Sequence, residues 1–192
     1  MIIESLVVAS KNPDKIAEVE AVLVELDLVG EIVRGLDWPD VEETEPTLEG
    51  NALLKARAVL LATGLPALAD DTGLEVAALG GEPGVHTARF AGPEATYDDN
   101  VDRLLLDLQG VDDRRARFRT AVALVDGETE ITCDGFVDGR ITLARQGSGG
   151  FGYDPVFAVD GRTFAEMGDE KHEISHRARA LRALAEKLSL IH

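Results

Sequence analysis

The sequence predicts a mixed α/β fold from three observations: it opens strand, tight loop, helix; its centre carries extended runs flanking a two-residue turn; and it closes on an amphipathic helix. Leu6-Val7-Val8-Ala9 reads as a buried strand. Ser10-Lys11-Asn12-Pro13 follows, where Asn12 can cap a helix and Pro13 suits its first position. Ile16, Val19, Val22, Leu23 and Leu26 then recur at helical spacing. A short apolar stretch near Ile32 precedes an acidic loop, Asp40 to Glu45. Thr47 introduces a second helix that ends near Thr63-Gly64, with Pro66 beyond it. The next strand, Ala67-Leu68-Ala69, runs directly into Asp70-Asp71-Thr72-Gly73. Gly80 to Gly84 is a loop, and Asp98 to Leu108 is helical through Val101, Leu104, Leu105 and Leu108. Phe118 to Val125 and Thr129 to Val137 flank Asp126-Gly127, a strong hairpin signal, and a third strand is expected at Arg140 to Ala144. After the glycine-rich Gly147 to Tyr153, Pro155 to Val159 is extended, and His176 to Leu188 is helical through Ala178, Leu181, Leu184, Ala185 and Leu188.

The totals bound the class. A chain of 192 residues, 45% hydrophobic, buries roughly 70% of its unfolded surface, enough for one domain over 1–192 without staples. No repeat or low-complexity tract interrupts it. Met1-Ile2-Ile3-Glu4-Ser5 lacks a signal peptide's basic start and apolar stretch, and no apolar run reaches a membrane span, so a soluble cytoplasmic protein is expected. The single Cys133 lies in a strand-like stretch and reads as a buried, inert thiol. A net charge of −17 repels nucleic-acid polymers and anionic membranes. A small phosphorylated substrate remains open, given a local basic pocket and a divalent cation. Most of the carboxylates read as a solvated face, and a salt-adapted source is a further reading.

Several motifs compete. Gly147-Ser148-Gly149-Gly150-Phe151-Gly152 fits the dinucleotide pattern, but Tyr153-Asp154-Pro155-Val156-Phe157 follows where a helix should begin. A flexible turn accounts for the glycines. It does not account for Phe151, Tyr153 and Asp154 beside them: flat rings next to a hydrogen-bonding carboxylate suit a heterocyclic base. Asp70 and Asp71 sit at a strand end, where successive side chains point to opposite faces, so one faces a cleft and the other does not. Read alone they are equally well turn residues. Glu42, Glu43, Glu45 and Glu49 are equally ambiguous, yet a strand-end carboxylate with one from a nearby loop offers the hard oxygens that Mg²⁺ accepts. Ser10, Lys11, Asn12, Pro13, Asp14 and Lys15, between strand and helix, form a plausible phosphate cradle; without a Walker pattern they also read as a plain cap with two exposed lysines. His172-Glu173-Ile174-Ser175-His176 spells the zinc-peptidase pattern, which needs both histidines one helical turn apart. Ser175 is a good N-cap, so a helix starting at His176 leaves His172 outside it. His86 and His192 are the other imidazoles.

The blocks "ASKNPDK", "EETEPTLEGNALLKARA", "ALADDTGLEVAALGGEPGVHTARFAG", "GSGGFGYDPVF" and "AEMGDEKHEISHRARAL" together resemble, in order and across nearly the whole chain, the inosine/xanthosine triphosphate pyrophosphatase family. These enzymes cleave deaminated purine nucleoside triphosphates to monophosphate and pyrophosphate. The resemblance implies a mixed twisted sheet in two lobes with flanking helices, a substrate cleft between the lobes, and a homodimer. It implies that Ser10 to Lys15 hold the triphosphate, that Glu42 and Asp71 bind Mg²⁺, and that Asp71 accepts a proton. By the same resemblance Thr72 touches substrate, while Phe151, Gly152, Tyr153, Asp154, Lys171, His176 and Arg177 surround the nucleoside. Departures fall at Glu45-Pro46 and Gly50, which leave open whether Glu43 joins Glu42 at the metal, and at His86, where only packing should change.

The expected chemistry is attack of water on the α-phosphorus, with Asp71 or a bound metal activating the water and Lys11 or Lys15 neutralising phosphate charge. Arg177, as a donor to the 6-keto oxygen of hypoxanthine or xanthine, would discriminate against adenine by ~10⁴, though guanine's rejection stays unexplained. A zinc peptidase and a non-catalytic nucleotide-binding protein are the competing classes.

Overall fold

In the computed structural model, which describes residues 3–191, most of the expected elements form, and two strands outrun their predicted ends. Met1, Ile2 and His192 lie outside the described residues. The strands are β1 (Ile3–Val8), β2 (Val29–Ile32), β3 (Ala67–Val76), β4 (Pro83–Gly84), β5 (Arg115–Val125), β6 (Glu130–Ile141), β7 (Phe157–Val159) and β8 (Arg162–Thr163). The helices are α1 (Pro13–Glu25), α2 (Leu48–Thr63), α3 (Tyr97–Asp107), α4 (Phe164–Met167), α5 (Lys171–Ile174) and α6 (His176–Ile191). The strands make one mixed sheet in the order β2-β1-β3-β5-β6-β7-β8, with β4 on β3. β1 is parallel to β2 and β3, whereas β4, β7 and β8 join antiparallel. No helix among the described residues is long and apolar enough to cross a membrane.

The chain divides into two compact units. One holds the described residues up to Asp71, Thr120–Gly135 and those from Ser175 onward; the other holds Thr72–Arg119 and Phe136–Ile174. In the first unit the strands alternate cleanly. Leu6, Val8, Leu68, Val122 and Leu124 pack with Val19, Val22 and Leu23 of α1 and Leu181, Leu184 and Leu188 of α6. The intervening Val7, Ala9, Ala67, Ala69, Ala123 and Val125 pack on Ala52, Ala56 and Val59 of α2. Period-two burial on both faces is what a sheet covered by helices on each side requires. The second unit has its own core of Leu74, Val76, Val101, Leu104, Phe118, Val137, Tyr153, Phe157 and Phe164. There Arg114, buried, donates to the carbonyls of Leu108, Ile141 and Thr142 at 2.9, 2.7 and 2.7 Å, closing the end of α3 against β6.

Two expectations need correction. Asp70-Asp71-Thr72-Gly73 is no strand end: β3 continues to Val76, because pairing with β4 (Leu74 to Gly84, Glu75 to Pro83) and a place beside β5 override the turn propensity of those four residues. The same β4 pairing gives strand character to part of the Gly80 to Gly84 loop. Nor is there a separate strand at Arg140 to Ala144; β6 runs unbroken from Glu130 to Ile141. Gly135 and Gly139 look like breaks but mark close approaches. A Cβ on Gly135 would lie 2.4 Å from Ala180 N and 2.5 Å from His176 O, and one on Gly139 would lie 2.6 Å from Ala158 O.

Candidate active site

β1 leads through α1 to β2 on one side, and the chain returns through α2 to β3 on the other, so the sheet order reverses between β1 and β3. Ligands in open parallel sheets bind beyond the strand carboxyl ends at such a point. Here that point carries Ser10–Lys15 after β1 and, on β3 beyond its pairing with Val7 and Val8, Asp70 and Asp71.

Alternation along β3 sends the two aspartates to different helices. Asp70 shares the parity of Leu68 and meets α1 and α6. Its Oδ2 accepts from Arg177 Nε at 3.2 Å and Nη2 at 3.1 Å, with Lys15 Nζ 3.5 Å away. Arg177 Nη1 also donates to Glu18. Burial alone would raise the Asp70 carboxyl, but Lys15, Arg177 and Lys55 hold it well below the ordinary carboxylate range. The Arg177 guanidinium is itself raised: burial disfavours its charge, and Asp70 and Glu18 outweigh burial.

Asp71 shares the parity of Ala69 and meets α2. Asn51 Nδ2 donates to its Oδ2 at 3.2 Å, and Lys55 Nζ lies 3.4 Å from its Oδ1. The same ammonium donates to Glu43 at 2.7 Å, while Asn51 Oδ1 accepts the Glu45 N–H at 3.0 Å. Two residues one turn apart on α2 thus tie the acidic loop to β3. Asp71 differs in sign from its neighbour: its carboxyl is raised, by burial first and by Glu43, against the pull of Lys55 and Lys15. The loop carboxylate beside Asp71 is Glu43; Glu42 is exposed. Gly50 explains the two departures in this loop, because a Cβ there would come 2.7 Å from Glu45 Cβ.

In the Ser10–Lys15 segment, Asn12 Oδ1 accepts from Asp14 N (3.0 Å) and Lys15 N (3.4 Å), capping α1, while Ser10 Oγ accepts from Asn12 N at 3.2 Å. Pro13 occupies the first helical turn. Lys11 is exposed and pairs with Asp40 at 2.6 Å. Of the two lysines, only Lys15 turns toward the β3 aspartates.

The second unit gathers a different set. Asp154 Oδ2 accepts from Phe151 N at 3.0 Å and from Lys171 Nζ at 2.7 Å, and the ammonium sits 4.9 Å from the Phe151 ring centroid. Phe151 and Gly152 are half-buried, and Gly152 has φ 61°, a left-handed conformation glycine adopts without strain. Tyr153 does not stand beside Phe151 as a second open ring. It is 4% exposed in the core, its hydroxyl donating to Thr87 O at 3.0 Å, and burial holds its phenol protonated far above the ordinary range. Thr72, half-buried, is the first residue of this unit.

His172 and His176 lie on separate helices, α5 and α6, split at Ser175, whose Oγ accepts from Ala178 N at 3.2 Å as a cap. His176 Nδ1 is 2.6 Å from Thr120 Oγ1. Among the described residues no group of three or more His, Cys, Asp or Glu is arranged around a metal position. His86 is exposed.

Sequence reading missed Glu18, Asn51 and Lys55. Their signal was present: Glu18 sits one turn after Lys15 among the buried Val19 and Val22, and Asn51 and Lys55 are four apart beside the buried Ala52 and Ala56.

The Ham1 family matches residues 6–187. A dITP/XTP pyrophosphatase of Chlorobaculum tepidum is 52% identical over 210 aligned positions, covering 96% of this chain and 92% of that protein. One of Porphyromonas gingivalis is 48% identical, covering 96% and 97%. Among solved structures, the Staphylococcus aureus Ham1 protein superposes with a TM-score of 0.83 at 35% identity, covering 98% of this chain and 100% of that one. A HAM1 protein from Coxiella burnetii gives 0.83 at 40% identity, covering 97% and 98%.

Proposed function

Since the chain belongs to the Ham1 family, we propose that it is a nucleoside triphosphate pyrophosphatase that hydrolyses non-standard purine nucleotides of the dITP and XTP type. Cleavage falls between the α and β phosphates, releasing monophosphate and pyrophosphate. The observation that carries this reading is the divergence of Asp70 and Asp71 on β3, one carboxylate neutralised by Lys15 and Arg177, the other raised and beside Glu43 and Lys55.

Asp71 and Glu43 are two hard-oxygen donors of the kind Mg²⁺ takes when substrate phosphates complete its shell, so the residues present fit that ion. Glu42, implied by family resemblance, is the alternative loop ligand. Bound there, Mg²⁺ supplies Lewis-acid polarisation of phosphate oxygens. Asp71 is the base that takes the proton of the attacking water; it meets Asn51 and Lys55 on α2, whereas Asp70 is held by Arg177 and Lys15. Lys15 and Lys55 offset charge on the phosphates, with Ser10, Lys11, Asn12, Pro13 and Asp14 shaping the loop that receives them. Thr72 supplies a hydroxyl. Phe151 offers the base its ring, with Gly152, Tyr153, Asp154 and Lys171 fixing that ring's loop. Arg177 we read as positioning Asp70 rather than touching the keto oxygen, because its donors face Asp70 and Glu18; His176 stays the candidate donor to the base. The chain acts as one catalytic domain, in the cytoplasm.

The deciding assay is pyrophosphate release from ITP with Mg²⁺, against ATP and GTP. We expect ITP to exceed ATP by about 10² or more in kcat/KM, and Asp71→Asn to lower kcat by at least about 10² without loss of folding. Near wild-type turnover by that variant removes Asp71 from the chemistry. We also propose a homodimer, supported by the family resemblance; sedimentation should give twice 20.6 kDa, and a 20.6 kDa species at micromolar concentration rejects it.

A further inference from the structure

The glycine-rich loop was expected to present two rings, Phe151 and Tyr153, and the structure withdraws Tyr153 into the core. A different ring stands next to Phe151. Tyr97 lies 5.8 Å from it centroid to centroid, tilted by 41°, and is 42% exposed. The backbone under each ring is held in place. Tyr97 is the first residue of α3, and its backbone is fixed by a reciprocal cap in which Thr96 Oγ1 accepts from Asp99 N at 3.1 Å and Asp99 Oδ2 accepts from Thr96 N at 2.9 Å. Arg145, just before the glycine-rich loop, reaches back to the same turn, donating to Asp102 Oδ1 at 2.6 Å and Asp98 O at 3.1 Å. Phe151 is fixed through its N–H to Asp154.

From this juxtaposition we propose that Tyr97 is a specificity-determining residue that completes, with Phe151, an aromatic platform for the purine. The inference rests on the pyrophosphatase reading. A bicyclic base covers more area than one phenyl ring, so a second, inclined ring adds contact with a purine that a single-ring base does not reach. Stacking on aromatic side chains is tolerant of the base's edge chemistry, so Tyr97 selects ring size and leaves the keto group to hydrogen-bond donors.

The test compares wild type, Tyr97→Ala and Tyr97→Phe for ITP hydrolysis, with inhibition by inorganic tripolyphosphate as the base-free control. Expected for Y97A is a KM for ITP raised about tenfold, with kcat and the tripolyphosphate inhibition constant within about twofold and melting unchanged; Y97F restores KM. An unchanged KM in Y97A overturns the proposal. So does a rise matched by equal loss of tripolyphosphate inhibition or a lowered melting temperature, or failure of Y97F to rescue, since each assigns Tyr97 a role other than stacking. If wild type releases no pyrophosphate from ITP, the pyrophosphatase reading fails by itself, and calorimetric binding of ITP to wild type and Y97A still decides Tyr97.

Discussion

Arg177 is the residue on which the first unit's charges turn. Its side chain is 2% exposed and bridges Glu18 and Asp70, with Lys15 Nζ 3.5 Å from the same Asp70 oxygen. Taking such a guanidinium out of water costs several kcal/mol, which the two carboxylates offset; removing it strips both buried carboxylates of that charge. Arg177→Met should therefore destabilise by about 3–5 kcal/mol in denaturant unfolding, while the triple variant that adds Glu18→Leu and Asp70→Leu to it recovers much of that loss. A single variant within 1 kcal/mol of wild type, roughly the value of an exposed pair, would show that the network carries little. Residue type alone did not pair them. Arg177 read as a donor to the base's keto oxygen, and Glu18 was not singled out; that they meet depends on α1 and α6 lying on the same face of the sheet.

At the scale of elements, α6 depends on a missing side chain. Gly135 in β6 lets the first turns of the helix sit where a Cβ would meet Ala180 N, His176 O and Arg179 Cβ at 2.4, 2.5 and 2.7 Å. Backbone atoms cannot give way as a flexible side chain can. Gly135→Ala should push the turn bearing His176 and Arg177 outward, costing about 1–3 kcal/mol and lowering activity below that of wild type. Wild-type activity in this variant would show that α6 tolerates the shift. The longer helices were legible: Asn12 and Thr47 cap where expected, Gly64 closes α2 at φ 71°, and Ser175 starts α6. The strands were less so. β3 carries four residues of turn chemistry and still continues, because a strand inside a sheet is set by its neighbours more than by its own composition.

The whole molecule carries a net formal charge of −17, from 36 acidic residues against nineteen basic ones. Self-repulsion of that size weakens the compact state at low salt. Melting should rise between 20 mM and 0.5 M NaCl by roughly 2–4 °C per kcal/mol recovered as screening shortens the Debye length; a flat or falling profile would mean that local pairs such as Arg34 to Glu20 and Arg57 to Glu130 already compensate the excess. By itself the sequence determined the fold class and the order of the longer elements, because hydrophobic period, caps and turn residues are properties of neighbours along the chain. Which of two adjacent aspartates is neutralised, that Glu43 rather than Glu42 meets Lys55, and that Tyr97 replaces Tyr153 beside Phe151 were decided only in three dimensions. The reason is that strand parity, burial and charge partners are set by segments that lie far apart in sequence and meet only when the sheet has formed.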